Sequence, residues 1–289
     1  MTELKRLAAD MTASMGVKNL EIPISAVKFY KKDESIPQKV KDTFTNNVSL
    51  TSCQAYKQSS LGDAVLITID NIGCIAAAIS LGLVNQNQPE PLKGSRVYTD
   101  IMKEGSSHKE KFTAPSPKDF TNGIVYACKD SGKMDFALFG KEDSGRFAKT
   151  DIAKQAVSEM TAIQPANTQG VFFYSPEFDK EDIAPDVVVM SVRPVELTRI
   201  IQAYQFNSGK RVNASIGPVR AINSDLIVRP YLTQEINITP YCVGARLIAQ
   251  LDADRMGIGM PYSIFKDIVK GMEESKTGYP FHLYPGAAL

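Results

Sequence analysis

The stretch DVVVMSVRPVELTRIIQAYQF, residues 186–206, decides the reading of this chain. It opens with Val187, Val188, Val189 and Met190, an unbroken apolar β-branched run that predicts a strand buried on both faces. Arg193-Pro194 then breaks the extended pattern, and Leu197, Ile200, Ile201 and Tyr204 recur at helical spacing. Pro194 suits the first helical turn, where its missing N–H would have had no partner, and Asn207-Ser208-Gly209 supplies the stop. The unit is therefore strand, turn and helix.

Moving towards the C-terminus, residues 215–227 mix Gly, Pro and Arg without a clear period, and residues 236–238 lead into Pro240-Tyr241-Cys242. A second strand is expected over 255–260, with Pro261 at a helix start, Ile264, Phe265, Ile268 and Val269 on the buried stripe, and Gly271 as the cap. Towards the N-terminus, AVLITID at 64–70 reads as a strand ahead of Cys74 and an Ala-rich helix that breaks near Gly82. Leu4, Leu7, Met11 and Met15 mark an opening helix that leads to a short strand over 26–30. QGVFFY at 169–174 and residues 123–129 resemble strands, and residues 96–102 and 152–160 resemble helices. Pro89, Pro91, Pro115 and Pro117 make residues 85–120 the expected lid or excursion. The strand-turn-helix pattern returns without forming a regular repeat. The fold class is α/β or α+β: a mixed sheet flanked by helices, in one interwoven unit spanning residues 1–289.

A chain of 289 residues buries about 75% of its extended surface, enough for a large core without staples. With 33 Lys+Arg against 32 Asp+Glu the formal charge is +1, which excludes the basic footprint of a nucleic-acid binder. The longest apolar run, residues 74–79, falls far short of the roughly 20 residues of a membrane helix, and the N-terminus has no hydrophobic signal core. The expectation is a cytoplasmic protein with no membrane or nucleic-acid partner. There is no Trp and there are two His, so imidazole-based metal sites and proton relays have little material. SIGPVRAIN is not a phosphate-binding loop, RMGIGMP lacks the pattern and strand-helix placement of a dinucleotide fingerprint, and no NAD is expected.

Most of the chain resembles the uncharacterised bacterial and archaeal family called domain of unknown function 169. The phrases that carry the resemblance are APDVVVMSVRPVELTRIIQAYQFNSGKRVNAS, RPYLTQEINITPYCVGARL and RMGIGMPYSIFKDIVKGME, joined by SCQAY and DNIGCIAAAISLGL nearer the N-terminus. The resemblance implies a shared fold. It implies that Cys53, Cys74 and Cys242 stand at recurrent cysteine positions and Arg246 in the basic segment after the third, with Cys128 matched less closely. Adjacent cysteines frequent in family members have no counterpart in GPVRAIN, residues 217–223. No activity is implied.

The four cysteines, at 53, 74, 128 and 242, are too sparse for a disulfide scaffold. They are either buried small hydrophobes or thiolates for an iron–sulfur cluster or other metal. Their intervals match no compact ferredoxin or zinc spacing, and no C-x-x-C suggests a redox pair. Arg193, Arg211, Arg220, Arg229 and Arg246 fall at strand ends and turns, where guanidinium groups bind anions or pair with carboxylates. Asp252 and Asp254 beside Arg255 position a ligand or balance charge at a turn, and Tyr231 and Tyr241 line a pocket or pack. His108 and His282 alone do not define a base. Two functions from different classes follow. One is a protein that binds a small anionic molecule through Arg220 and Arg246 beside a metal held by Cys53, Cys74, Cys242 and Cys128. The other is a cofactor-free binding or homo-oligomeric assembly protein with structural cysteines.

Overall fold

The computed structural model describes residues 1–15, 22–44, 50–84, 159–178, 183–217, 221–242, 245–246 and 249–275. A six-stranded sheet runs through the centre. Its strands are β1 (Ile24–Lys31), β2 (Ala64–Thr68), β3 (Thr168–Tyr174), β4 (Val187–Val192), β5 (Asn237–Thr239) and β6 (Met256–Pro261). The spatial order is β2-β3-β1-β4-β6-β5, and every ladder is antiparallel. The result is a mixed α/β unit whose central antiparallel sheet is flanked by helices.

Alternation along the strands divides the core in two. Ala26, Phe172, Tyr174, Val188, Met190, Ile258 and Met260 face one layer, formed by α1 (Glu3–Ser14), α5 (Pro194–Ser208) and α7 (Tyr262–Glu274). Val27, Phe29, Val65, Ile67, Val171, Phe173, Val187 and Val189 face the other. That second layer holds α3 (Ser52–Ser60), α4 (Ile75–Ser80), a π-helix (Ala221–Val228) and the side chains of Tyr241, Cys242, Ala245, Ala249 and Leu251. The short helices α2 (Gln38–Lys41) and α6 (Arg229–Thr233) complete the elements among the described residues. Every residue of β4 is buried, as a strand covered on both faces requires.

The deciding stretch folds as read. Pro194 occupies the first turn of α5, the backbone N–H of Arg193 donates to Glu196 Oε2 at 2.7 Å, and Gly209 ends the helix in the left-handed region at φ 63°. Gly271 differs from expectation. It lies inside α7, which continues to Glu274 and is closed by Ser275. A Cβ at Gly271 would collide with the carbonyl oxygen of Ala203, so this glycine serves the contact between α7 and α5 rather than a helix end.

The stretch without a clear period, 215–227, runs into the π-helix Ala221–Val228, all eight residues of which are buried. Its i→i+5 bonding matches neither the 3.6 nor the 2.0 period, which is why no element was legible there. The glycines of RMGIGMP explain how it packs. A Cβ at Gly257 would strike the Leu226 side chain, and one at Gly259 would strike the Leu226 backbone, so β6 lets the π-helix main chain lie directly on the sheet. The expected excursion at 85–120 and the elements over 96–102 and 123–129 lie outside the described residues, as does nearly all of 152–160.

Candidate functional site

The π-helix layer gathers the polar and sulfur groups. Leu50 and Ile72 form a parallel bridge, with Leu50 N donating to Asn71 O at 2.9 Å and Gly73 N to Leu50 O at 2.7 Å. This bridge sets the starts of α3 and α4 side by side. A capping box closes α3: Gln54 N donates to Thr51 Oγ1 at 3.2 Å and Thr51 N to Gln54 Oε1 at 2.9 Å. Cys53 sits in the first turn of α3 and Cys74 is the N-cap residue of α4, both half-buried. Cys242, buried, follows Tyr241, and all three sulfur-bearing residues pack on the same apolar cluster. Among the described residues, no group of three or more His, Cys, Asp or Glu side chains is arranged to hold a metal ion. Cys128 and Arg220 lie outside the described residues, as do His108 and His282.

Around these elements runs a buried polar network. The Ser52 hydroxyl at the start of α3 donates to Asn223 Oδ1 on the π-helix, and Ser224 Oγ accepts the backbone N–H of Thr161 at 2.8 Å. The hydroxyls of Tyr56 and Tyr241 stand 3.4 Å apart, with Ser191 acting on both. Burial pushes both phenols above their usual pKa, Tyr56 strongly, so each is a neutral hydrogen-bonding group at physiological pH. Tyr241 holds φ at 69°, a left-handed backbone rare for an aromatic residue, where the chain turns from β5 towards Cys242.

Arg193, Arg246 and Arg255 bond to the chain itself, whereas Arg211 is exposed. Arg246 donates to the carbonyls of Asp252, Pro240 at 2.9 Å and Arg255 at 3.1 Å, and its guanidinium lies over the Tyr241 ring at 5.5 Å. Arg193 pairs with Asp254 at 2.9 Å. Arg255 is buried, donates to Ser191 O at 2.8 Å and reaches Glu196 and Asp252 at 3.4 Å each. Asp252 and Asp254 thus balance charge at a turn, and the Arg193 hydrogen bond holds the Asp254 carboxyl below its usual range. Tyr231 packs on Phe29, with ring centroids 4.4 Å apart.

Asp225 escaped the sequence reading. It lies within the π-helix, only 7% exposed, and burial lifts its pKa from 3.8 to about 6 despite opposing hydrogen bonds and the charge of Arg229. Gly217 N donates to Asp225 Oδ2 at 3.2 Å, and Asn237 Nδ2 donates to Asp225 O at 3.0 Å. The legible signal was AINSDLIV itself, three consecutive polar residues inside an apolar run. Such a run must either expose those residues or satisfy them internally.

Among the described residues, no helix is long and apolar enough to cross a membrane. No solved structure matches the chain. A curated relative, "Uncharacterized protein MJ0308" of Methanocaldococcus jannaschii, is 23% identical over 260 residues, which cover 90% of each chain. Residues 17–271 match the family described as DUF169, Uncharacterised ArCR. The deciding strand-turn-helix, the π-helix layer and the cysteine-bearing helix starts all fall within that span, and the chain belongs to the DUF169 family.

Proposed function

We propose that this is a cytoplasmic protein that binds a small anionic molecule on the π-helix side of its sheet, where Cys53, Cys74 and Cys242 supply thiolates to a metal or iron–sulfur centre. The observation that carries the reading is the parallel bridge of Leu50 with Ile72, which aligns the starts of α3 and α4 on the face that also holds Cys242. Unpaired backbone N–H groups at a helix start favour both thiolate and ligand anion, and thiolates are soft-metal ligands. Cys128 is the fourth ligand in this reading. Arg220 holds the anion, while Arg246 shapes the site through the carbonyls it grips.

A cofactor-free reading has its own support. The absence of a three-member ligand set among the described residues favours cysteines that only pack, and exposed Leu61, Phe206, Ile216 and Leu232 favour contact with a second copy. Anaerobic purification of the full chain, with metal analysis and visible spectroscopy, separates the two. The thiolate reading expects bound metal or a charge-transfer band that is lost in Cys53→Ser, Cys74→Ser and Cys242→Ser. A metal-free, colourless protein after anaerobic reconstitution overturns it, and a dimer by light scattering then supports assembly.

A further inference from the structure

Among the described residues, three other than glycine hold a positive φ, and two of them sit in ordinary surroundings. Gln234, at 56°, closes the end of α6, and Gln250, at 49°, is exposed. Tyr241, at 69°, differs from both: it is aromatic, 4% exposed, and lies in the chain between β5 and Cys242. A left-handed backbone disfavours a side chain of this bulk, so the surroundings must hold it there. The ring supplies the hold. The Arg246 guanidinium lies over it at 5.5 Å, its hydroxyl stands 3.4 Å from that of Tyr56, and it packs against Gly257 of β6, where a Cβ would come within 2.8 Å of Tyr241 Cε1. Arg246 is itself fixed by the carbonyls of Pro240 and Arg255, and its N–H donates to Cys242 O at 3.1 Å. The residue that grips the ring therefore belongs to the turn that Cys242 opens. On α3, Cys53 and Tyr56 are three residues apart, on one side of the helix.

On the reading that Cys53 and Cys242 belong to one site, on which this inference rests, we propose that Tyr241 is the positioning residue of that site. Its gripped ring keeps the main chain left-handed, and that backbone sets the direction in which Cys242 is presented to the layer that carries Cys53. The ring matters more here than the hydroxyl. At 3.4 Å the bond between Tyr56 and Tyr241 is long, whereas the ring cannot swing out without leaving Arg246 and the bare backbone of Gly257. Position 241 is then more than apolar volume to be filled. A leucine would occupy much of the space but lacks the flat ring and avoids the left-handed region; a glycine fills nothing but adopts that backbone freely. Packing alone ranks leucine above glycine as a replacement, and positioning ranks glycine above leucine.

The order of those two replacements is the test. The full chain, reduced and stripped of metal by a chelator, is treated with iodoacetamide, and the alkylation rate of Cys242 relative to Cys74 is read by peptide mass spectrometry. Tyr241→Leu is expected to raise that ratio about tenfold, Tyr241→Gly about threefold and Tyr241→Phe less than about twofold. A ratio in Tyr241→Gly equal to or above that in Tyr241→Leu overturns the proposal, as does a tenfold rise in Tyr241→Phe. Arg246→Lys keeps the charge but gives up the planar grip, and it carries the test if the Tyr241 variants do not fold: a rise of about threefold is expected, and an unchanged ratio overturns the proposal. Cobalt(II) added to the same proteins separates this inference from the reading beneath it. A thiolate-to-cobalt band in wild type that weakens in Tyr241→Leu and returns in Tyr241→Phe supports both, and a band of full strength in Tyr241→Leu overturns the role of Tyr241 alone. No band in wild type sinks the metal centre, and the alkylation order still decides whether Tyr241 positions Cys242.

Discussion

The two faces of the sheet are built on different terms. Against α1, α5 and α7 the core is mostly apolar: buried Arg199 is satisfied by Met272 O and Ser275 Oγ at 2.9 Å each, and buried Glu196 on α5 meets Arg255 at 3.4 Å. Against α3, α4 and the π-helix, the same strands meet Ser52, Asn223, Ser224, Asp225, Tyr56 and Tyr241. The first layer holds the fold together through area removed from water, at roughly 25 cal/mol per Å². The second gives up part of that gain to keep polar groups inside, among them the Asp225 carboxyl, whose pKa burial raises. The difference teaches where to look: among the described residues, the face that packs less well is the one that holds the polar groups.

Substitutions that test this contrast differ in size. The largest effect is expected at Gly259, where even a methyl group meets the Leu226 backbone. Gly259→Ala is expected to cost more than about 3 kcal/mol in denaturant unfolding, because neither strand nor π-helix can yield without losing main-chain bonds. A cost below 1 kcal/mol would mean that the π-helix does not lie on β6 as described. Next comes Phe265→Ala on α7, fully buried in the apolar layer, with an expected loss of about 3–5 kcal/mol and no effect on any ligand or metal signal.

Asp225→Asn should act in the opposite direction. A carboxyl whose pKa in the fold is about 6, against 3.8 when unfolded, contributes its full stability below pH 3.8 and loses it as pH rises through 6. The amide does not titrate. Measured against wild type, the variant is expected to gain about 3 kcal/mol between pH 3.5 and pH 8, read as diverging Tm curves. Parallel curves would place Asp225 among ordinary solvated carboxylates. The smallest effect is expected from Tyr56→Phe, which removes one neutral hydroxyl bond to Tyr241 at a cost of about 1 kcal/mol and leaves the apolar layer untouched.

How much of this was legible depends on distance along the chain. The β4–α5 unit was readable because each signal acts within a few residues: burial of Val187 to Met190, Pro194 in the first turn, Gly209 past the last. The resemblance carried by the same stretch proved to be family membership. Gly271 was misread for the complementary reason. A glycine near the end of a helical pattern looks like a cap, and only the Ala203 carbonyl of α5, far away in sequence, reveals the close approach that requires it. Arg246 shows the same dependence on distant chain. A guanidinium in a turn suggests an anion, but Arg246 finds three carbonyls of its own chain once the turn is closed.

By itself, then, the sequence determined the strands other than β5, the helix α5 with both its ends, and the kinship of the chain, since periodicity, capping and phrase identity are local properties. Tertiary structure alone decided that Leu50 meets Ile72 and sets Cys53 and Cys74 at neighbouring helix starts, that Gly257 and Gly259 admit a π-helix, and that buried Asn237 bonds both Ser215 and the Asp225 carbonyl. Each of these joins residues whose separation along the chain carries no periodic trace. Their meeting is fixed by which surfaces must be covered, and that is a property of the whole packed sheet.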